Sequence, residues 1–253
     1  MITPFLSAVI LGGPWQPLEI SIYGENLAAD LNQALTKASL RLQSDPIERG
    51  KRQPGGVLDL GPDLGGVRAT FSVPRANASL GWFGDVNFRL APMAMSRATA
   101  EVKDGCFLIS GLFEAKGMKI LAQHTSLGSL ELPTVGIQRG KVILKMRPMV
   151  DPKGRPTYSR IDVTFQSLMK SSGLNFSFRG RTIDLLDSVS GYQAVLAKAV
   201  EDRLEEFLNS RGCREAFTFV LNRALTKRAA ELGFKVTKIR NKGADFFATV
   251  ERL

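Results

Sequence analysis

The residues able to do chemistry in this 253-residue chain are few and unevenly placed. His124 is the only histidine, set in a Thr-, Ser- and Gly-rich stretch, so no histidine-paired metal site can form. Any Ser-His-Asp or Cys-His arrangement would depend on this one ring. Yet no Gly-x-Ser-x-Gly elbow is present and neither Cys106 nor Cys213 has a nucleophile's context. The chain also lacks a Gly-x-x-x-x-Gly-Lys phosphate loop and a Gly-x-Gly-x-x-Gly turn after a strand. The acidic group Glu201, Asp202, Glu205 and Glu206 has helical spacing but is interleaved with Arg203, the pattern of a solvated helix face. The sequence therefore predicts neither catalysis, a cofactor nor a metal. The two cysteines are too few for a disulfide framework and read as small hydrophobes, a single bridge between them staying open.

Charge is the stronger signal. The chain carries a formal +10, and residues 138–181 hold 10 basic against 2 acidic side chains, so most of the surplus lies in one sixth of the sequence. Arg139, Lys141, Lys145, Arg147, Arg160, Arg179 and Arg181 are the candidates for docking on an anionic membrane surface. Nucleic acid is the weaker alternative, because only Tyr158 and Phe178 interleave with the charges as stacking platforms.

These residues need elements to hold them. Leu27, Leu31, Leu35, Ala38 and Leu42 recur at spacings of three and four and predict an amphipathic helix over residues 18–43, ended by Asp45-Pro46. Residues 44–66 are rich in Gly and Pro and read as a connection. Over residues 67–181 a two-residue period takes over and predicts an antiparallel meander. Asp104-Gly105 suits a primed turn; with Lys103 facing Cys106, Val102 faces Phe107, Ala100 faces Ile109 and Ala98 faces Gly111. A second hairpin turns at residues 151–154. Pairing Val150 with Arg155 puts Met146 opposite Ser159, Leu144 opposite Ile161 and Val142 opposite Val163, with Lys145, Arg147, Arg160 and Asp162 on the outer face.

A helical period then runs over residues 185–232, interrupted near residue 212, with Val189, Tyr192, Val195, Leu196, Ala199, Val200, Leu204, Phe207 and Leu208 in one stripe and Phe217, Val220, Leu221, Leu225 and Leu232 in another. Gly233 caps it, and residues 233–253 form a closing hairpin around Asn241-Lys242-Gly243. The whole is expected to be a single α+β domain: an elongated, strongly curved antiparallel sheet wrapped around a long C-terminal amphipathic helix. No apolar run approaches the length of a membrane span. Pro4–Leu11 followed by Gly12-Gly13 reads either as a shortened secretory core or as an apolar arm packing on the body.

The helix ENLAADLNQAL, the hairpins RATAEVKDGCFLISGLFEA and KVILKMRPMVDPKGRPTYSRIDVTF, and the helix beginning DLLDSVSGYQAVLAKAVEDRLEEFL together resemble the tubular lipid-binding superfamily. The likeness is to its single-module members related to group-seven mite allergens and small bacterial lipid-binding lipoproteins, and covers residues 19–43 and 97–232. The resemblance implies non-catalytic carriage of a lipid or other hydrophobic small molecule, outside the cytoplasm. The alternative is a basic, matrix-like structural protein that binds an anionic membrane or nucleic acid through residues 138–181, with a filled core and no internal ligand; its location would be peripheral, on the cytoplasmic side of a membrane. The expected ligand wall comprises Val102, Phe107, Ile109, Leu144, Ile161, Val163, Val195, Leu196, Phe207, Phe217, Val220 and Leu221. The same residues would make a solid core if no cavity exists.

Overall fold

The computed structural model describes residues 18–113, 119–127, 132, 135–169 and 175–253, so the apolar run at residues 4–11 lies outside the described residues. The chain is α+β, a curled antiparallel sheet closed by helices. In place of one helix over residues 18–43, the structure has strand β1 (Leu18–Ile22), helix α1 (Gly24–Leu35) and strand β2 (Ser39–Leu42). The flanks are strands because Ile20 and Ile22, and likewise Leu40 and Leu42, alternate inward, a two-residue period that the helical spacing of the intervening leucines masks. Helix α1 begins where the Gly24 N–H donates to the Asp245 carboxylate at 2.7 Å.

The connection over residues 44–66 is more structured than its composition suggests. It contains β3 (Ile47–Glu48), β4 (Lys51–Arg52), β5 (Gly56–Asp59) and a 3-10 turn at Pro62–Leu64. The strands continue as β6 (Arg68–Phe71), β7 (Ala76–Ser79), β8 (Asp85–Leu90), β9 (Met93–Lys103), β10 (Cys106–Phe113), β11 (Lys119–His124), β12 (Val135–Val150) and β13 (Pro156–Met169). They do not form a simple meander. The ten-stranded sheet runs β6-β5-β2-β9-β10-β12-β11-β8-β7, with β13 also paired to β12. The long β12 takes β10 and then β11 as neighbours along its length. The two wings meet where the Ser44 N–H donates to Leu90 O at 3.0 Å and the Asp45 N–H to Val73 O at 3.1 Å.

The β9–β10 hairpin has the register derived from its turn, Lys103 opposite Cys106 through Ala98 opposite Gly111, with Asp104 and Gly105 both at positive φ. The β12–β13 hairpin turns where expected but pairs differently. Met146 faces Ile161, Leu144 faces Val163 and Val142 faces Phe165. Val150 pairs with Pro156 rather than Arg155, and an irregularity between Arg147 and Pro148, where proline has no N–H for the ladder, shifts the rest by one more. Two one-residue offsets preserve the face, so Met146, Ile161 and Val163 are still buried together.

After the small hairpin β14 (Asn175–Phe178) and β15 (Arg181–Asp184), the helical stretch is two helices, α2 (Leu186–Leu208) and α3 (Arg211–Glu231). The break falls at Asn209, a few residues before Gly212, and has a physical cause. The Asn209 carboxamide accepts the Ile161 N–H at 2.9 Å and donates to Ile161 O at 2.7 Å and to Glu205 O at 2.9 Å, filling the open edge of β13. Other helical side chains continue this edge. The Glu201 carboxylate accepts the Phe165 N–H at 2.8 Å, and the Arg214 guanidinium donates to Ser159 O at 3.2 Å. The Tyr158 hydroxyl, its pKa raised by burial, donates to Leu208 O at the end of α2. On the other wing, Asn32 of α1 plays the same part for β9, donating to Ala100 O at 2.8 Å and accepting the Ala100 N–H at 2.5 Å.

Strands β16 (Phe234–Lys242) and β17 (Asp245–Arg252) form the closing hairpin, and β1 joins it to make a three-stranded sheet, β1-β17-β16. Its turn is Gly243-Ala244, one residue past the one expected. Two hydrophobic cores result. The larger packs α2 on the curled sheet through Val189, Tyr192, Leu196, Val200, Leu204 and Leu208. The smaller packs α3 on the three-stranded sheet around Leu225, Ile239, Phe246 and Val250. Both cysteines are free. Among the described residues no helix is long and apolar enough to cross a membrane.

Candidate functional site

The seam between the two cores is not filled. A cavity of about 400 Å³ lies there, within the ~300–1,000 Å³ usual for small-molecule sites. Helix α1 supplies one wall through Leu27, Asp30, Leu31 and Ala34, a run at helical spacing. Helix α3 supplies the facing wall through Phe217, Val220 and Leu221, and the floor is Phe107 of β10, Met146 and Pro148 of β12, and Phe246 of β17. The 3-10 turn contributes Asp63 and Leu64 at the rim. It sits against α3 because Gly65, at φ 89°, has no Cβ; one built there would lie 3.3 Å from Ala216 Cβ.

The wall is mostly hydrocarbon, with charge confined to Asp30, Asp63, Lys227 and Glu231. Asp63 is held by Lys37 at 2.8 Å. Burial raises the pKa of Asp30. Among the described residues no group of His, Cys, Asp and Glu could hold a metal ion.

Of the twelve residues expected to line a ligand wall, the structure brings Phe107, Phe217, Val220 and Leu221 to this cavity. Ile161, Val163 and Leu196 are buried in the larger core, and Val102, Leu144 and Phe207 pack against it. Ile109 is half-buried on the strand that carries Phe107. Val195 is a correction: it is 53% exposed, because the buried stripe of α2 steps from Tyr192 to Leu196 and leaves Val195 on the far side. Sequence reasoning missed Leu27, Leu31 and Phe246 as lining residues, though the helical spacing of the first two was legible.

The basic residues separate into three sets. Arg139 and Lys141 border a shallow groove with Ser190 and Gln193 of α2. Arg147 and Arg160 point outward as expected, but both reach Asp162, at 3.2 and 2.7 Å, and Arg160 also pairs with Glu205 at 2.5 Å. Lys145 stands opposite Asp162 in the ladder. This ribbon is a partly neutralised network, with three cations against two acids.

Arg179 and Arg181 lie at a tip with exposed apolar side chains. The Arg181 guanidinium is 5.0 Å from the ring centre of Trp82, which is 53% exposed, and Arg179 is 5.4 Å from that of Phe178. The tip is organised by His124, a buried ring whose Nε2 donates to Phe83 O at 2.6 Å. Its Nδ1 accepts the N–H groups of Ser126 and Leu127 at 3.1 and 3.0 Å. Both ring nitrogens are thus engaged with backbone.

No family model matches the sequence, and no curated protein matches it. Among solved structures, the chain is similar to the crystal structure of lipopolysaccharide binding protein, with a TM-score of 0.36 and 10% identity, over 86% of this chain and 50% of that one. The chain thus spans about half the length of that protein.

Proposed function

We propose that the protein binds a lipid or other hydrophobic small molecule in the seam cavity and performs no catalytic step. The observation that supports this reading is the cavity itself, an apolar hollow where two cores meet. Helix α1 walls it on one side and α3 on the other, so neither core closes it. Binding is a partition, driven at about 25 cal/mol per Å² of apolar surface removed from water. The volume suits one acyl chain or a compact hydrophobe rather than a two-chain lipid.

The test is uptake of the neutral probe N-phenyl-1-naphthylamine, alongside native mass spectrometry of the purified protein. Fluorescence enhancement is expected for the unaltered chain and its loss in Val220→Trp, where the indole fills the cavity. A probe that ignores Val220→Trp, or no uptake by either protein, overturns the proposal.

A second reading has its own observation. Trp82, 53% exposed, stands against Arg181 at the tip, the pairing of interfacial aromatic and cation found where proteins meet anionic membranes. Docking there, instead of through the ion-paired ribbon, predicts that Trp82→Ala and Arg181→Glu each weaken flotation with phosphatidylglycerol vesicles. The triple reversal of Lys145, Arg147 and Arg160 to Glu should change it less. High salt should mimic Arg181→Glu but not Trp82→Ala. If the ribbon reversal has the larger effect, the docking face is the ribbon.

A further inference from the structure

The cavity mouth holds a half-buried carboxylate for which the fold supplies no partner. Asp30 sits on α1 between Leu27, Leu31 and Ala34, lining the same hollow. Among the described residues its carboxylate receives neither a hydrogen bond nor an ion pair, and burial alone raises its pKa. The other charged groups of the mouth are differently placed. Asp63 is matched by Lys37 at 2.8 Å, while Lys227 and Glu231 stand exposed on the last turns of α3. A partly desolvated carboxylate without a protein donor is less favourable than the same group in open water. On an otherwise apolar helix face, asparagine or leucine would avoid that penalty.

We infer that Asp30 is the acceptor for the polar end of the ligand. The ligand is then a single-chain amphiphile whose head donates hydrogen bonds, a hydroxyl or an ammonium group, while carboxylate and phosphate heads are rejected. This rests on the cavity reading above. Its reasons are independent of the chain's overall +10. With Lys37 on Asp63, the charged side chains at the mouth are three acids and two bases, so the local field leans against an anion even though the molecule as a whole attracts one. The hydrocarbon wall takes the chain, and the unpaired Asp30 carboxylate takes the head, which is the division of labour of amphiphile sites.

The experiment compares three heads on one chain length, dodecylamine, dodecan-1-ol and dodecanoate, each displacing N-phenyl-1-naphthylamine below its micellar concentration. Dodecylamine and dodecan-1-ol should compete, and dodecanoate should be weaker by about tenfold or more. Asp30→Asn should weaken dodecylamine by a similar factor, leave dodecan-1-ol nearly unchanged because the carboxamide oxygen still accepts, and narrow the gap to dodecanoate.

Thermal unfolding supplies a second readout. A carboxyl whose pKa is raised in the folded state contributes stability below its ordinary value of 3.8 and loses it as pH rises through the folded value. Asp30→Asn should therefore raise the melting temperature at neutral pH and bring no gain below that ordinary value. Dodecanoate binding as well as dodecylamine, or an unchanged order in Asp30→Asn, sinks the headgroup assignment while leaving the cavity intact. Failure of the probe and of all three amphiphiles sinks the cavity reading instead.

Discussion

Leu204→Ala is expected to destabilise the protein by about 2–5 kcal/mol, whereas Phe217→Ala should cost less and change what the protein binds. Leu204 is 1% exposed and lies in the α2 stripe that fills the larger core, so truncation opens a void with no route to relax. Phe217 is half-buried. One side of its ring meets Tyr158 edge-on at 5.3 Å between centres, and it also lines the seam cavity. Removing it forfeits the aromatic contact but enlarges a hollow that already exists. Urea unfolding of both variants, with displacement assays on a series of alkyl alcohols, measures the two effects. Phe217→Ala should shift the preferred chain to a longer one. Equal losses of stability with unchanged chain preference would make Phe217 ordinary core and remove the α3 wall from the site.

That contrast could not have been drawn from periodicity. The sequence places Leu204 and Phe217 in stripes of the same kind, and only the break between α2 and α3 sends one to the large core and the other to the seam. The break itself was legible to within a few residues, but its cause was not. Asn209 stops the helix by filling the hydrogen-bonding edge of β13, and an edge strand's needs are invisible until the sheet order is known.

The β9–β10 register was readable because Asp104-Gly105 fixes a two-residue turn. The β12–β13 register slipped by two, one residue at the turn, where Val150 pairs with Pro156, and one at the irregularity between Arg147 and Pro148, neither of which the composition announces. Ranges failed where two periods overlap. Leu35, Ala38 and Leu42 continue a helical spacing, yet Leu40 and Leu42 are the buried positions of a strand.

The site was legible in part for the same reason. Apolar residues of long elements were identified as wall or core, and four of them line the cavity. Asp30 was not, since a lone carboxylate on an amphipathic helix reads as its wet face. Its position matters only because the turn at Pro62–Leu64 and the last turns of α3 gather at the same rim. The basic block shows the converse limit. Counting 10 against 2 along residues 138–181 leaves out Glu205, which folds onto Arg160 from α2.

Asp45→Ala is expected to be at least as damaging as Leu204→Ala, although in the sequence Asp45-Pro46 looks only like the end of a helix. The side chain is buried, and its carboxylate accepts the N–H of Gly55 at 2.9 Å, the N–H of Val73 at 2.8 Å and the hydroxyl of Ser72. Its neighbour Ser44 accepts the Leu90 N–H at 2.8 Å and shares a 2.9 Å hydrogen bond with the Tyr192 hydroxyl on α2. These two residues join the wings of the curled sheet to each other and to the helix beneath. Alanine at position 45 leaves two backbone donors without a partner, at about 1–3 kcal/mol each. Asp45→Asn retains one acceptor oxygen but presents an amide N–H₂ to other donors, so its loss should be intermediate. Asp162→Ala, which removes an acid from the exposed ribbon, should stay within about 1 kcal/mol. Urea unfolding ranks the three, and hydrogen exchange at Gly55 and Val73 locates the effect, since both amides should lose protection before the β9–β10 hairpin does. If Asp45→Ala unfolds no more readily than Asp162→Ala, apolar packing alone holds the wings together, and the buried carboxylate is dispensable to the closure.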